Sequence, residues 1–275
     1  MRGRTRLILS PIFIALFVVI FLVPFAFIIL TAAKSQAEAA DFNFSLPAHW
    51  QLFENLWDAI RNRNYLLIAA FINSTIVTVV SVAIMVVLAA MVAYVLQRRP
   101  SRWTKYANAL IFSGLIIPPA VVPTVYVLQK LDLFKTLQGL ILVEIAYGMA
   151  FCILLFRAFI STIPREIDEA AIIDGAGPLR LFFRVIFPML KSVTITVIVT
   201  QSVFVFNDFT NPLYFLPGDE NATVQLTLFN YQSQFNSQYH LLFADILLIT
   251  IPPLIMFMFF NRKIVAGMTA GAVKG

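Results

Sequence analysis

EAAIIDGAG at residues 169–177, followed by PLRLFFRVIFP at residues 178–188, forms the longest polar island in an otherwise apolar chain. Pro164 can begin a short helix there with Ser161 or Thr162 as its N-cap, and acidic residues fall in the first turns, where the helix dipole favours them. Gly175 is predicted to end that helix, because the residue just past a helix end often has positive φ, which costs other residues about 1–2 kcal/mol. A second helix begins at Pro178, with apolar residues at spacings of three and four until Pro188 interrupts it. The stretch predicts a compact, charged helix-turn-helix.

This stretch resembles the EAA loop of bacterial ABC import permeases, in which Glu-Ala-Ala, Gly, Ile and Leu-Pro follow one another at fixed spacing. Glu169-Ala170-Ala171, Gly175, Val185 and Phe187-Pro188 occupy those positions here. Val replaces Ile, Phe replaces Leu, and Ser192 stands where sugar permeases often have a second Pro, but the spacing is intact. Residues 265–275 look like the ending of the carbohydrate branch, the smaller member of the maltose-permease type of pair. The resemblance covers the chain from Asn73 onward.

The composition indicates residence in a lipid bilayer. Hydrophobic residues make up 60% of the chain and charged residues only 12%, which is far from the balance of a soluble domain. Six apolar stretches each reach the roughly 20 residues that cross a hydrocarbon core about 30 Å thick. They are residues 7–33, 65–96, 107–128, 137–163, 193–216 and 241–260. The apolar part of the first stretch is too long for a cleavable signal peptide, which is the alternative there.

We therefore expect an all-α polytopic membrane protein with six transmembrane helices, and the resemblance implies a coupling helix in the EAA-type loop, residues 164–192. On this interpretation residues 1–275 form a single ABC importer transmembrane domain. With the N-terminus inside, 15 of the 20 Lys and Arg residues lie in inner segments and 5 in outer ones. Cytoplasmic segments carry such an excess, so both termini and the loop are expected in the cytoplasm of a bacterial or archaeal cell. The net charge of +6 follows from this topology and requires no nucleic-acid partner.

Several segments suggest particular places in the bundle. Trp50 and Trp57 in the first outer loop predict a short amphipathic helix at the membrane interface, with contact to a delivered ligand as the alternative. Small residues along 73–93 predict that the second span packs inside the bundle. The prolines at 118, 119 and 123 predict a bent or broken third span that lines a cavity. Glu144 and Asp245 lie near the outer ends of their spans, where proximity to outer water explains them at least as well as substrate contact.

No catalytic or metal-binding constellation is present in the sequence. One Cys and two distant His cannot form a closed zinc site, and no phosphate-cradling GxxxxGK[ST] loop occurs. His49 and His240 have no evident nucleophilic partner. A multi-span membrane enzyme or an assembly scaffold remains the alternative to a transporter.

The resemblance implies a permease subunit that forms half of the translocation pathway for a sugar or sugar derivative. Two copies of a partner ATPase would bind ATP and Mg, and this chain would hold no cofactor. The other implied partners are a second permease, favoured as a paralogue over a second copy, and an extracytoplasmic solute-binding protein. The residues expected to couple to the ATPase are Glu169, Ala170, Ala171, Asp174, Gly175, Ala176, Phe182, Arg184 and Pro188.

A sugar pathway should offer amides, an occasional carboxylate and aromatic rings, since sugars are bound through their hydroxyl groups and ring faces. Carbohydrate permeases have an Asn-Ser pair at the position of Asn73 and an Asn followed by an acidic residue at the position of Asn207. The alternative for the residues before Pro212 is that they cap a helix end. The pathway candidates are Asn73, Phe206, Asn207, Asp208, Asn211 and Tyr214.

Overall fold

The computed structural model describes residues 2–232 and 237–272, and all regular secondary structure among them is helical. The chain divides into two compact units, one comprising Met1–Ala70 and Val224–Ile251 and the other Phe71–Thr223 and Pro252–Gly275. Residues 273–275, the last of the ending that resembles carbohydrate permeases, lie outside the described residues.

Thirteen α-helices are described between residues 2 and 272, with a π turn at Phe182–Ile186 and a 3-10 turn at Leu228–Tyr231. In chain order they are α1 (Arg2–Ala32), α2 (Gln36–Ala40), α3 (Leu52–Arg98), α4 (Arg102–Ile116), α5 (Val121–Lys130), α6 (Leu137–Ile160), α7 (Glu166–Ile173), α8 (Pro178–Leu181), α9 (Phe187–Met189), α10 (Lys191–Phe206), α11 (Thr210–Phe215), α12 (Val224–Thr227) and α13 (Tyr239–Ala272).

The helices include several that can cross a bilayer. Among the described residues, α3, α6 and the Tyr239–Phe260 part of α13 are long and apolar enough, and the number rises to five if each of two bent helix pairs is one span. The Leu16–Ala32 part of α1 is apolar but shorter. The all-helical, multi-span character predicted from composition is confirmed at this level, and the number six stays a prediction.

The third apolar stretch is broken, as its prolines predict. Helix α4 ends at Ile116, α5 begins at Val121, and the two helices are bent by 114°. Pro118 and Pro119 lie in the break, where neither can supply the backbone N–H that would continue α4.

The predicted span at 193–216 is divided into two helices near the residues for which helix capping was the alternative. Helix α10 ends at Phe206 and α11 begins at Thr210. The Asp208 carboxylate accepts hydrogen bonds from the backbone N–H groups of Thr210 at 2.9 Å and Asn211 at 3.4 Å. A short polar side chain that satisfies the first free N–H groups of a new helix competes with continuation of the old one.

The segment predicted as the first outer loop contains the predicted short helix. Helix α3 departs from helical geometry over residues 62–65, and Arg63, Asn64 and Tyr65 have φ values of 48°, 55° and 61°. The residues from Leu52 to this break therefore form a helical segment distinct from the apolar span that follows. The guanidinium carbon of Arg61 lies 4.7 Å from the centre of the Trp57 ring. The location of this helix at the membrane surface stays a prediction.

Two details of the helix-turn-helix differ from the sequence prediction. Helix α7 begins at Glu166 without a side-chain cap, because its N-cap residue is Arg165, whose side chain is not an acceptor. The Ser161 and Thr162 hydroxyls donate to carbonyls of the preceding turn at 2.7 and 2.8 Å. The second helix continues past Pro188 and bends by 77° near Leu190. Ahead of Pro188 the backbone widens into a π turn, in which the Phe187 N–H donates to the Phe182 carbonyl. A wider turn accommodates a proline that cannot donate and whose ring crowds the preceding turn.

Helix α3 packs closely in the second unit, as its small residues predict. Ala89 and Ala93 are fully buried. Gly148 of α6 lies against the Met85 and Gln201 side chains, and a Cβ there would require Sδ of Met85 to move. The glycine thus allows α6 to approach both α3 and α10, which positions the residues of the site described next.

Candidate functional site

The helix-turn-helix ends its first helix at a glycine with positive φ, as predicted. Gly175 has φ of +78°. Its N–H donates to the Ile172 carbonyl at 3.0 Å, and the Ala176 N–H donates to the Ala171 carbonyl at 2.9 Å. This pair of bonds is the Schellman arrangement, which satisfies the last carbonyls of a helix and requires a left-handed residue. The turn between α7 and α8 is therefore rigidly specified by Gly175.

Several large apolar side chains are exposed on the surface of the loop. Ile173 is 85% exposed and Leu179 is 65% exposed, and Ile172 and Phe183 are also exposed. Exposed apolar side chains in a loop between spans are candidates for contact with a partner. These four apolar residues were not predicted, because the EAA pattern is defined mainly by its polar and small residues. The large hydrophobic residues close to Gly175 in the sequence are the feature from which they could have been predicted.

The residues predicted to couple to an ATPase differ in their exposure. Glu169, Ala170, Asp174, Gly175, Arg184 and Pro188 are exposed, and Ala171 and Ala176 are half-buried. Phe182 is only 3% exposed, and its ring centre lies 5.7 Å from that of Tyr94 in α3. Phe182 therefore packs in the interior, against α3, and is not exposed for contact with an ATPase.

A cavity of about 820 Å³ lies in the second unit. The break between α4 and α5, the middle of α6 and the break between α10 and α11 all contribute to it. Its lining mixes apolar surface with hydroxyl, amide and carboxylate groups, and it includes Pro118, Pro119, Thr124, Tyr147, Phe204, Asp208, Thr210 and Asn211. The two helix breaks thus face a common space, where irregular backbone in a membrane protein is tolerated.

Asp208 and Asn211 are the two pathway candidates that line this cavity. Asp208 accepts hydrogen bonds from the first N–H groups of α11. The Asn211 amide of α11 donates to Oε1 of Glu144 in α6 at 3.0 Å. Tyr147 and Thr124 add hydroxyl groups to the lining, and their oxygens lie 3.4 Å apart. These two residues and Phe204 carried no signal in the sequence beyond their types.

The other pathway candidates lie outside the lining of this cavity. The Asn73 amide donates to the Ala222 carbonyl at 3.1 Å, and the Asn207 amide donates to the Val203 carbonyl at 2.9 Å. Phe206 is buried, and Tyr214 is exposed. Asn73 and Asn207 thus make structural hydrogen bonds in this conformation.

The explanation of Glu144 and Asp245 by outer water is wrong. Glu144 is 2% exposed and Asp245 is fully buried. In the first unit the Thr227 hydroxyl donates a hydrogen bond to Oδ2 of Asp245 at 2.7 Å. In the second unit the Asn211 amide donates a hydrogen bond to Glu144. Sequence position along a span does not show whether a side chain faces water or a neighbouring helix, and packing has buried both carboxyl groups.

Comparison with known proteins identifies the family. A family model of binding-protein-dependent transport system inner membrane components matches residues 85–270. The chain belongs to this family. It is thus a membrane-embedded permease subunit of an ABC importer, and ATP hydrolysis resides in a partner subunit. The alternative of a multi-span enzyme or scaffold is excluded.

Curated relatives match almost the whole permease. It is 30% identical over 257 residues to the melibiose/raffinose/stachyose import permease protein MelC of Bacillus subtilis, covering 92% of this chain and 91% of MelC. It is 31% identical over 270 residues to the diacetylchitobiose uptake system permease protein NgcG of Streptomyces coelicolor, covering 97% of this chain and 88% of NgcG.

A solved structure shares the permease fold. The chain superposes on one in a bacterial ABC transporter that imports the acidic polysaccharide alginate, with a TM-score of 0.82 and 21% identity over 95% of this chain and 97% of that one. A chain of a bacterial alginate ABC transporter in complex with an alginate pentasaccharide-bound periplasmic protein matches with a TM-score of 0.68 and 14% identity, covering 94% of both chains.

Proposed function

We propose that this permease forms half of the translocation pathway of an ATP-driven importer for a sugar or sugar derivative. The observation that carries the proposal is its similarity, over more than nine tenths of its length, to permeases named for the uptake of oligosaccharides. The mixed lining of the cavity supports it, because hydroxyl, amide, carboxylate and aromatic groups suit sugar hydroxyls and ring faces.

The proposed topology has six spans in one transmembrane domain, with both termini in the cytoplasm. The bias of positive residues supports this orientation. It puts the α7–α8 turn in the cytoplasm, beside the partner that hydrolyses ATP. It puts the first outer loop, with Trp50 and Trp57, on the side from which a solute-binding protein delivers substrate.

The coupling surface is proposed to be the exposed part of the loop around Gly175. Its apolar anchors are Ile172, Ile173 and Leu179, and Glu169 and Asp174 add charge beside them. Buried apolar anchors contribute most of the affinity of a protein interface, and charges at its edge contribute mainly specificity and rate of association. A groove on the ATPase with apolar walls and a basic rim would complement this surface.

The proposed assembly follows from the single loop. Two ATPase subunits, which bind ATP and Mg, need two docking points, and this chain supplies one. A second permease is therefore required, and we favour a paralogue over a second copy. The extracytoplasmic solute-binding protein completes the importer.

Docking is tested by copurification of the ATPase with the complete importer. Ile173→Asp places a charge at the centre of the proposed contact, and at least a tenfold loss of bound ATPase is expected, since a truncated anchor costs about 2 kcal/mol or more. Ile173→Leu is the matched control and should retain binding. Full retention of the ATPase by Ile173→Asp would remove this surface from the proposal.

The sugar pathway is tested by uptake of oligosaccharides into proteoliposomes that contain the importer and its binding protein. Tyr147→Phe removes one hydroxyl from the cavity and keeps the ring. A lost hydrogen bond of about 0.5–1.5 kcal/mol should raise the apparent KM about 2–12-fold. Tyr126→Phe, the same change at an exposed residue outside the cavity lining, is the control. Equal effects of the two changes, or none from Tyr147→Phe, would count against the cavity as the pathway.

A further inference from the structure

The cytoplasmic loop is attached to the end of α3 by a polar cluster that the EAA pattern does not include. The Tyr94 hydroxyl donates to Oδ1 of Asp168 at 2.6 Å. The guanidinium Nη2 of Arg98 lies 3.0 Å from Oδ2 of the same carboxylate. Tyr94 and Arg98 lie four residues apart in α3, one helical turn, so both reach the same side chain of α7.

Arg98 also binds the backbone where the chain enters the loop. Its Nη2 donates to the Ile163 carbonyl at 2.8 Å and approaches the Pro164 carbonyl at 3.4 Å. These carbonyls belong to the connection between α6 and α7. One guanidinium therefore holds both α7 and the segment that leads into it.

Tyr94 makes a second contact through its ring. The ring centre lies 5.7 Å from that of Phe182 at the start of the π turn. The hydroxyl of Tyr94 thus contacts the first helix of the loop and its ring contacts the second. A single turn of α3 is attached to both halves of the helix-turn-helix.

The cluster is largely shielded from water. Asp168 is 8% exposed, and the side chains of Arg98 and Asp168 in the ion pair are 9% and 12% exposed. A buried carboxylate needs its charged and hydrogen-bonding partners, since an uncompensated buried charge is strongly unfavourable. Asp168 is therefore held in place, whereas most of its neighbours in α7 face outward.

Helix α3 continues from this cluster to the cavity region of the second unit. Met85 of α3 packs where Gly148 of α6 lacks a side chain, and the preceding residue, Tyr147, lines the cavity. A displacement of α3 at Arg98 would reach a wall of the cavity through these packed side chains. Closely packed interiors transmit such displacements.

We propose that Tyr94, Arg98 and Asp168 form the joint through which movement of the cytoplasmic loop drives α3. They are positioning residues: they transmit movement of the loop and contact neither substrate nor nucleotide. This inference rests on the proposed docking of an ATPase at the loop. The loop is covalently connected to α6 and α10. The inference adds that it also moves α3, through this side-chain joint.

The test is made on the complete importer, reconstituted with its binding protein. Asp168→Asn keeps the size of the side chain and removes the charge. Copurification of the ATPase should be retained, and the sugar taken up per ATP hydrolysed should fall several-fold. Asp168→Glu should restore much of the ratio, and the charge exchange of Arg98→Asp with Asp168→Arg should restore part of it. Arg99→Gln, which changes the adjacent exposed arginine, is the matched control.

The outcomes separate this joint from the docking proposal. If Ile173→Asp releases the ATPase and Asp168→Asn leaves uptake per ATP unchanged, the joint is refuted and docking stands. If Ile173→Asp has no effect on binding, docking fails first. Should Asp168→Asn fail to assemble, Tyr94→Phe decides, since it removes only a hydroxyl: a lower uptake per ATP with normal assembly is expected, and an unchanged ratio overturns the inference.

Discussion

Replacement of Gly175 by Ala isolates the energetic cost of its backbone conformation. The residue has φ of +78°, and a Cβ built there meets nothing within 4 Å. The substitution therefore causes no clash within the chain, and its cost comes from the left-handed conformation alone. That cost is about 1–2 kcal/mol, which raises the equilibrium constant for opening of the turn about 5–30-fold.

Hydrogen exchange followed by mass spectrometry measures this opening directly. The amides of Gly175 and Ala176 are bonded in the turn, so exchange of a peptide that spans α7 and α8 should accelerate by the same factor in Gly175→Ala. Gly175→Asn should show a smaller acceleration, because Asn tolerates positive φ better than Ala. The apolar spans should exchange as in the unchanged protein.

Gly177→Ala is the matched control. Gly177 has φ of −68°, a value open to any residue, and a Cβ there also meets nothing within 4 Å. Its exchange should be unchanged or slightly slower, because Ala restricts the unfolded chain more than Gly does. Equal acceleration in Gly175→Ala and Gly177→Ala would refute the assignment of the cost to positive φ.

Three further predictions test the interior, the outer loop and the topology. Glu144→Gln keeps an acceptor for the Asn211 amide and should preserve the thermal stability of the complex, whereas Glu144→Leu leaves that amide unpaired and should cost about 1–3 kcal/mol; equal melting temperatures would contradict this role. Hydrogen bonds from the backbone of Ala48 and from Ser35 lower the pKa of Glu38 below its ordinary 4.5. Because this pKa is lower in the folded loop than in the unfolded chain, ionised Glu38 stabilises the loop above the unfolded pKa, and that stabilisation is lost as the pH falls through the folded pKa. Acid should therefore increase proteolysis of the loop in the unchanged protein and not in Glu38→Gln. An impermeant thiol reagent should label Leu46→Cys and not Arg102→Cys in intact cells, and the opposite pattern would invert the topology.

The elements that could be predicted from sequence depend on residues close together in the chain. The apolar runs locate the helices, the paired prolines locate the break at 117–120, and Gly175 locates the end of α7. Each depends on local backbone chemistry or on the burial of a run of side chains in lipid. The predominantly apolar run at 193–216 predicted one span, and hydropathy does not show that a new helix begins at Thr210, with its first N–H groups bonded to Asp208.

The candidate site was predictable only in part. Asp208 and Asn211 have the residue types expected of a sugar pathway, and both line the cavity. Asn73 and Asn207 have the same chemistry but donate to backbone carbonyls. An amide side chain can hydrogen-bond either a backbone group or a ligand, so the residue type alone does not show which of the two it binds. The direction of the side chain in the folded protein shows this.

By itself the sequence determined the membrane character of this permease, its family and the position of the turn that follows α7, because composition and short-range spacing carry that information. Tertiary structure alone decided which partners the buried carboxyl groups have. The Tyr94 bond to Asp168 joins residues 74 apart in the chain, and the Asn211 bond to Glu144 joins residues 67 apart. Such pairs depend on how whole helices approach and rotate against one another, and that arrangement is set by the packing of many side chains at once.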